Sequence, residues 1–253
     1  MSNEIMIWSE EEILKNPSKK DVWLHEFCIG GGSPVSIVCP GGGYSFVSHS
    51  NEGDPFAQYL NDRGHSAFVL NYSVGEVNAH YPAPMEDMAK AIEYVKKNAE
   101  KYNINADKIT IWGSSAAGHL CSCFSAEYKS FEKDIPLRPF AQVLIYPVVN
   151  LDVETHGGSM RNLLGMNSTR EERLSHSADI IATEDYPPAF IMHCEDDGCV
   201  PVSNSIRLHN TLDSLGVKNE LHIYPAGGHG IGLGARPSAE GWIVKAVDFI
   251  ESI

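Results

Sequence analysis

A serine in a tight turn is the strongest chemical signal in this sequence. Residues 109–112 are an apolar run, residues 113–118 read GSSAAG, and a helical pattern follows. A strand that turns sharply into a helix presents the turn serine, as in the G-x-S-x-G nucleophile elbow. Ala117 stands where that motif has its second glycine. The pattern predicts Ser115 as a nucleophile, which requires a base to take its proton.

A glycine cluster after an earlier apolar run could stabilise the charge that such a serine creates. Residues 40–44 read PGGGY. Acyl transfer forms an oxyanion that needs preorganised backbone N–H donors, one of them from the residue after the nucleophile. We therefore predict Gly42, Gly43 and Ala116 as donors. The rival interpretation, a phosphate-binding loop, lacks the Gly-Lys-Ser/Thr ending of that motif.

Two neighbouring aspartates could supply the acid that orients a catalytic histidine. Residues 194–201 read CEDDGCVP and follow an apolar run. A carboxylate here could accept the Nδ1–H of the histidine and so hold the useful tautomer. The spacing Asp-x-x-Val-Pro favours Asp197, with Asp196 as the alternative. The alternative without a catalytic role is that both are ordinary loop carboxylates or cap the helix after Pro201.

The base must be one of eleven histidines. Enzymes with such an elbow order their triad along the chain as serine, acid, histidine, which leaves His209, His222 and His229. The first falls in a helical pattern and the second in a strand, whereas His229 lies in a glycine-rich turn after the last strand. We predict His229 as the base, although a histidine beside glycines can also be a plain exposed turn residue. His119 and His193 are predicted as packing or supporting groups.

The elements that must position these residues alternate along the chain. Apolar or alternating runs predict strands at 21–27, 35–39, 66–72, 109–112, 141–146, 189–194 and 220–224. Helical periodicity appears at 54–63, from Pro84 onward, after the elbow, at 201–215 and at 238–253. This alternation predicts an α/β fold with a mostly parallel sheet and helices on both faces. We expect one domain over residues 1–253. Residues 148–188 are interpreted as a small cap, the alternative being an ordinary crossover with long loops.

Composition narrows the classes of partner. The formal charge of −14 argues against nucleic acid. The sequence contains no run of about 18 apolar residues, so no membrane span is predicted. The first residues do not resemble an export signal. The six cysteines are therefore expected to be reduced in a cytoplasmic protein. A metal site at His119, Cys121 and Cys123 is disfavoured because helical residues two apart point in different directions. We expect neither metal nor cofactor.

Four stretches together resemble the α/β-hydrolase superfamily, and within it the bacterial acetyl-xylan-esterase-like carboxylesterases. They are CPGGGYSFVSHSNEGDPFAQYLNDRGHSAFVLNYSV, WGSSAAGHL, HCEDDGCVPVSNS and YPAGGHGIGL. The resemblance implies an α/β-hydrolase fold with Ser115 as nucleophile, His229 as base and Asp197 as orienting acid. It also implies a small-molecule substrate, a short-chain ester such as an acetyl ester of a sugar or similar alcohol. Alternatives are an arylformamidase or small peptidase with the same triad, or a binding module without catalysis.

Overall fold

Eight strands form one sheet in the part of the chain that the computed structural model describes, residues 4–234 and 237–253. Their order across the sheet is β1-β2-β4-β3-β5-β6-β7-β8. The strands are β1 (Glu4–Met6), β2 (Trp23–Phe27), β3 (Ser33–Cys39), β4 (Ser66–Asn71), β5 (Ile104–Ser114), β6 (Ala141–Ile145), β7 (Ala189–Cys194) and β8 (Asn219–Tyr224). The pairs β1–β2 and β2–β4 are antiparallel and every later pair is parallel. The predicted mostly parallel sheet is confirmed.

Helices cover both faces of this sheet. They are α1 (Glu10–Lys15), α2 (Asp54–Asn61), α3 (Ala83–Lys97), α4 (Ala99–Tyr102), α5 (Ala116–Glu127), α6 (Gly157–Leu164), α7 (Arg170–Ser175), α8 (Ala178–Ile181), α9 (Ser203–Ser214) and α10 (Trp242–Glu251). A single π-helical turn, His49–Gly53, precedes α2, and 3-10 turns lie at Pro17–Asp21, Tyr128–Ser130 and Pro237–Ala239. Among the described residues, no helix is long and apolar enough to cross a membrane.

The central strands are buried on both faces, which explains their unbroken apolar runs. Every residue of β6 and β7 is buried. Helix α5 is buried from Ala116 to Ser125, so its sequence carries no polar stripe. Helices α3 and α10 instead show the one-sided apolar pattern of helices whose other face meets water. The core therefore lies in two layers, one on each side of the sheet.

The parallel strands bring four separated loops to the same edge. Strands β3, β5, β7 and β8 end at Cys39, Ser114, Cys194 and Tyr224. Because parallel strands share their carboxyl edge, the loops that follow these four ends must lie together, where ligands bind in open α/β sheets. All of the candidate catalytic residues lie in or directly beside these loops.

The long segment 148–188 contains three short helices, α6, α7 and α8, rather than one continuous crossover helix. Thr169 opens α7 with a capping box that includes Glu172. Asn162 on α6 donates from Nδ2 to the Gly43 carbonyl and to the Ser45 hydroxyl, both at 2.8 Å. The segment therefore contacts the glycine loop after β3.

Candidate active site

Ser115 occupies the sharp turn between β5 and α5. Its backbone has φ 55° and ψ −119°, an unusual conformation for a residue with a side chain. The Ser115 N–H donates to the Ile145 carbonyl at 2.9 Å, and the Ser115 carbonyl accepts from Val148 N–H at 3.0 Å. Contacts with the end of β6 and with the chain just beyond it thus hold the strained turn and fix the Ser115 hydroxyl, and Ser115 is only 7% exposed.

Ala117 does not prevent the turn from forming. The close approach in this elbow involves Gly113, where a Cβ would lie 2.2 Å from the Ala117 carbonyl oxygen. Ala117 itself is fully buried in the core between α5 and the sheet. The tight turn consequently depends on Gly113, two residues before Ser115, and a methyl group at position 117 is accommodated.

The side chains of Ser115, His229 and Asp197 form a continuous hydrogen-bonded series. The distance from His229 Nε2 to Ser115 Oγ is 2.8 Å, and that from His229 Nδ1 to Asp197 Oδ2 is 2.7 Å. With Nδ1–H donating to the carboxylate, Nε2 is free to accept the serine proton. The three residues come from the loops after β5, β7 and β8, in the order expected along the chain.

Asp197 is surrounded by donors. Its Oδ1 accepts from the N–H groups of Cys199 and Val200 at 2.8 and 2.9 Å. Its Oδ2 accepts from His193 Nε2 at 3.2 Å as well as from His229. The His193 ring is fixed in turn by Ser205 Oγ, 2.8 Å from Nδ1. These bonds orient the carboxylate before any substrate binds.

The ionisation of Asp197 follows from this environment. Burial opposes the charge and raises the pKa of Asp197, but the hydrogen bonds from His193, His229 and the Val200 N–H outweigh it. Together they hold the pKa of this carboxyl well below its usual range. A carboxylate at this position therefore remains ionised and can stabilise an imidazolium at His229.

The neighbouring Asp196 has a different contact. Its Oδ1 accepts from the Gly228 N–H at 2.7 Å, so it fixes the turn that carries His229 rather than the imidazole ring. Of the two aspartates that the sequence offered, the structure places Asp197 against the ring. Asp197 thus contacts the imidazole ring of His229, and Asp196 holds the backbone of the loop that carries His229.

The glycine loop after β3 faces the same serine. A Cβ on Gly41 would lie 2.9 Å from Ser115 Cβ, which shows how closely this loop approaches the elbow. Gly42 has φ 140°, and a Cβ there would lie 2.0 Å from the Phe46 carbonyl oxygen. Among the described residues, the N–H groups of Gly42, Gly43 and Ala116 have no protein acceptor. They are available to an oxygen bound beside Ser115.

A buried glutamate that the sequence analysis did not single out supports this loop. Glu52 Oε2 accepts from Gly41 N–H at 2.8 Å, and its Oε1 accepts from Tyr146 O–H at 2.6 Å. The Tyr146 ring lies 4.7 Å from that of His229, centre to centre. Glu52 therefore connects the glycine loop to the surroundings of the base. Nothing in the surrounding SHSNEGD pattern marks a buried acid, so no sequence signal could have found it.

The other candidate histidines lie away from the serine hydroxyl. His119 is fully buried, with Nδ1 2.9 Å from the Tyr44 hydroxyl and Nε2 2.7 Å from the His176 carbonyl oxygen. His209 lies in α9, and its Nδ1 contacts Asn219 Oδ1 at 2.5 Å. His222 lies in β8 and contacts Glu220 at 2.9 Å. His119 and His193 are thus packing and supporting groups, as expected.

A cluster of three side chains that could bind a metal ion lies apart from Ser115. It is not the group His119, Cys121 and Cys123 that the sequence suggested. Ligand atoms of Cys123, Glu127 and His176 lie within 4.8 Å of one another. The Cys123 thiol donates to Glu127 Oε1 at 3.5 Å, and the Tyr81 hydroxyl donates to Oε2 at 3.1 Å. Burial raises the pKa of both the Cys123 thiol and the Glu127 carboxyl. Protonated groups of this kind bind cations weakly.

The model of the BD-FAE family matches residues 28–212 of the chain. This range includes Ser115, Asp197 and the glycine loop, and it ends before His229. Endo-1,4-beta-xylanase B of Butyrivibrio fibrisolvens is 35% identical over 215 residues, which cover 81% of this chain and 34% of that protein. Acetylxylan esterase of Xylanibacter ruminicola is 34% identical over 203 residues, 78% of this chain and 41% of that protein. The chain thus spans roughly a third to two fifths of the length of these relatives.

A solved structure resembles the whole chain. The acetyl ester-xyloside bifunctional hydrolase from Caldicellulosiruptor lactoaceticus superimposes with a TM-score of 0.91 at 34% identity. The alignment covers 99% of this chain and 96% of that one. The MGS-M1 α/β hydrolase from a Medee basin deep-sea metagenome library has a TM-score of 0.77 at 25% identity. The expected α/β-hydrolase fold is confirmed.

Proposed function

This chain belongs to the BD-FAE family of α/β hydrolases, and we propose that it is a serine esterase that removes short acyl groups, chiefly acetyl, from the hydroxyls of sugars. The observation that carries the proposal is the series of hydrogen bonds from Ser115 Oγ through His229 to Asp197, at 2.8 and 2.7 Å. A serine beside a base, with the base oriented by a buried acid, is the arrangement that activates a hydroxyl for acyl transfer.

The reaction proceeds through an acyl-enzyme. Ser115 Oγ attacks the ester carbonyl while His229 Nε2 takes the hydroxyl proton. The N–H groups of Gly42, Gly43 and Ala116 stabilise the oxyanion that forms. His229 then gives the proton to the departing alcohol. Water, activated by the same ring, attacks the acyl-serine and releases the carboxylic acid, which regenerates the Ser115 hydroxyl. Asp197 stabilises the imidazolium in both halves of the reaction.

The substrate class rests on the related proteins. One is named an acetylxylan esterase and another an acetyl ester-xyloside bifunctional hydrolase. Since both names refer to acetyl groups or xylose derivatives, we assign acetylated xylose-containing sugars as the first substrates to test. The chain covers only part of the longer relatives, so no glycosidic activity is assigned to it. The single triad described above supports ester hydrolysis.

The test compares two adjacent serines. Ser115→Ala should lower kcat on 4-nitrophenyl acetate and on acetylated xylo-oligosaccharides by roughly 10⁶-fold, the scale found when a triad serine is removed. Ser114→Ala is the matched control, because Ser114 is also buried, at 1% exposed, and ends the same strand. This variant should retain most of the parental activity. Near-parental activity in Ser115→Ala would refute the assignment, and N-formylkynurenine as the preferred substrate would favour an arylformamidase.

A further inference from the structure

His156, in the segment 148–188, has a proton position fixed by its own helix. It is the N-cap residue of α6, and its Nδ1 accepts from the Ser159 N–H at 3.2 Å. The Ser159 hydroxyl also lies 2.8 Å from Nδ1. A backbone N–H can only donate, so Nδ1 carries no proton, and a neutral ring must carry its proton on Nε2. The ring thus presents an Nε2–H donor.

This donor lies beside the candidate active site. His156 Cε1, the ring atom between the two nitrogens, lies 3.5 Å from the position that a Cβ on Gly43 would occupy. The ring is close enough to His229 and Asp197 for their charges to act on its protonation. Within residues 4–234 and 237–253, no hydrogen-bond partner for His156 Nε2 is found. The partly buried ring therefore lies beside the glycine loop, and its Nε2–H has no partner among the described residues.

The surroundings keep the ring neutral and in place. Burial, followed by the charges of His229 and Arg161, lowers the pKa of His156, while Asp197 acts in the opposite direction. A neutral ring preserves the acceptor at Nδ1 and hence the donor at Nε2. Asn162, six residues further along the chain, donates to the Gly43 carbonyl and to Ser45 Oγ at 2.8 Å. The helix that carries His156 is thereby fixed to the glycine loop.

We propose that His156 is a positioning residue whose Nε2–H donates a hydrogen bond to a hydroxyl next to the acylated carbon of the alcohol. This inference rests on the proposed esterase function and adds a preference for polyhydroxylated alcohols. We assign the alcohol as the partner because the departing oxygen must lie within reach of His229, whose charge acts on the His156 ring. An acetyl group offers no further polar atom, since its carbonyl oxygen lies at the oxyanion donors.

A donor with no protein partner should distinguish alcohols that can accept its hydrogen bond from those that cannot. The probes are trans-2-hydroxycyclohexyl acetate and cyclohexyl acetate, which share the ring and acyl group and differ in one hydroxyl. The parent should show a kcat/KM roughly three- to tenfold higher for the hydroxylated ester, the scale of one net hydrogen bond. The ratio of the two values is the readout, since a general change in folding or in the triad affects both esters alike.

The test variant is His156→Asn. Asparagine is a good N-cap, so it can still accept from Ser159 N–H while its shorter side chain removes the donor near Gly43. His80→Asn is the matched control, because His80 is exposed and lies near Gly165 at the other end of α6. We expect His156→Asn to reduce the ratio to about one and His80→Asn to keep it at the parental value, whatever the change in absolute rate.

Each other outcome overturns the proposal. A ratio near one in the parent shows that no donor recognises the hydroxyl. An unchanged ratio in His156→Asn assigns any preference to another group, and an equal loss on both esters shows a merely structural role. If the parent hydrolyses neither ester but does hydrolyse 4-nitrophenyl acetate, only the role of His156 is rejected, whereas failure on all three esters rejects the proposed esterase function as well. Hydrolysis of both esters without discrimination would instead reject only the role of His156.

Discussion

The carboxyl edge of the sheet and the segment 148–188 beside it are constructed differently. At the edge, the Asp197 side chain and His193 are fully buried, and each polar atom that orients His229 has its partner. In the segment, α7 has no buried residue, and Met166 and Ile180 are 75% and 56% exposed. Asn162 of the segment donates to Gly43 and Ser45 in the glycine loop, and the His156 ring lies near Gly43. Under the proposals above, the rigid edge carries the reaction chemistry, and the more exposed segment contributes to the choice of alcohol.

Among the groups that support the serine at the edge, Asp197→Asn should have the largest effect. The amide N–H can donate a hydrogen bond to Nδ1 and so stabilise the wrong tautomer, and we expect kcat on 4-nitrophenyl acetate to fall by roughly 10⁴-fold. Asp196→Asn keeps an acceptor for Gly228 N–H, and its kcat should fall by less than roughly tenfold. Equal losses in the two variants would contradict the separate roles of the adjacent carboxylates.

The glycine loop after β3, which the segment 148–188 contacts, should give the next largest effect. In Gly42→Ala the new methyl would lie 2.0 Å from the Phe46 carbonyl oxygen, so the loop must move and displace the proposed oxyanion donor. We expect kcat to fall by about 10²–10³-fold. At Gly43, with φ 65°, the nearest atom to a new methyl is His156 Cε1 at 3.5 Å, so Gly43→Ala should cost less than roughly tenfold. A greater loss at Gly43 would show that the donors are wrongly placed.

The smallest expected effect is on the stability of the fold at low pH. It concerns His119, which contacts the His176 carbonyl oxygen of the segment. Burial lowers the pKa of His119 from 6.5 to about 4. Below pH 6.5 the unfolded chain therefore binds a proton that the folded state does not, and stability is lost as the pH falls from about 6.5 to about 4. The loss should reach on the order of 1–3 kcal/mol in the free energy of unfolding.

Urea unfolding at pH 7.5 and pH 5 measures this loss. His119→Gln removes the titrating ring, so the difference between the two pH values should shrink in that variant. An unchanged difference would show that other groups cause the acid sensitivity. A difference of the opposite sign, with higher stability at pH 5, would contradict the burial of a neutral His119 between α5 and the segment.

The sequence predicted the rigid region better than the segment, for physical reasons. Buried parallel strands leave apolar runs, and a tight turn beside a serine leaves small residues, so β3, β5, β7 and their loops could be identified. The short strand β1 and the antiparallel position of β2 were not anticipated, because edge pairing depends on partners distant in sequence. Within the segment, α6 ends before Gly165 and α7 begins at Arg170, so its helices are too short to leave a long periodic pattern.

The supporting side chains could not be predicted. Glu52 and Tyr146 meet across 94 positions of sequence, and only the folded chain brings them to the glycine loop. His156 was one of many histidines without a distinguishing pattern, since its role depends on the position of α6. The spacing Asp-x-x-Val-Pro did favour Asp197, because its Oδ1 accepts from the Val200 N–H in that loop. The cap and the single domain remain predictions.

The most direct test of the central claim is the site of covalent labelling by an alkyl fluorophosphonate, read by intact-protein mass and peptide mapping. Such a reagent reacts with a serine activated by an adjacent base. The account predicts one adduct per chain, on Ser115, absent in Ser115→Ala and present in Ser114→Ala. No adduct on the parent, or an adduct on another residue, would contradict the assignment of Ser115 as the nucleophile.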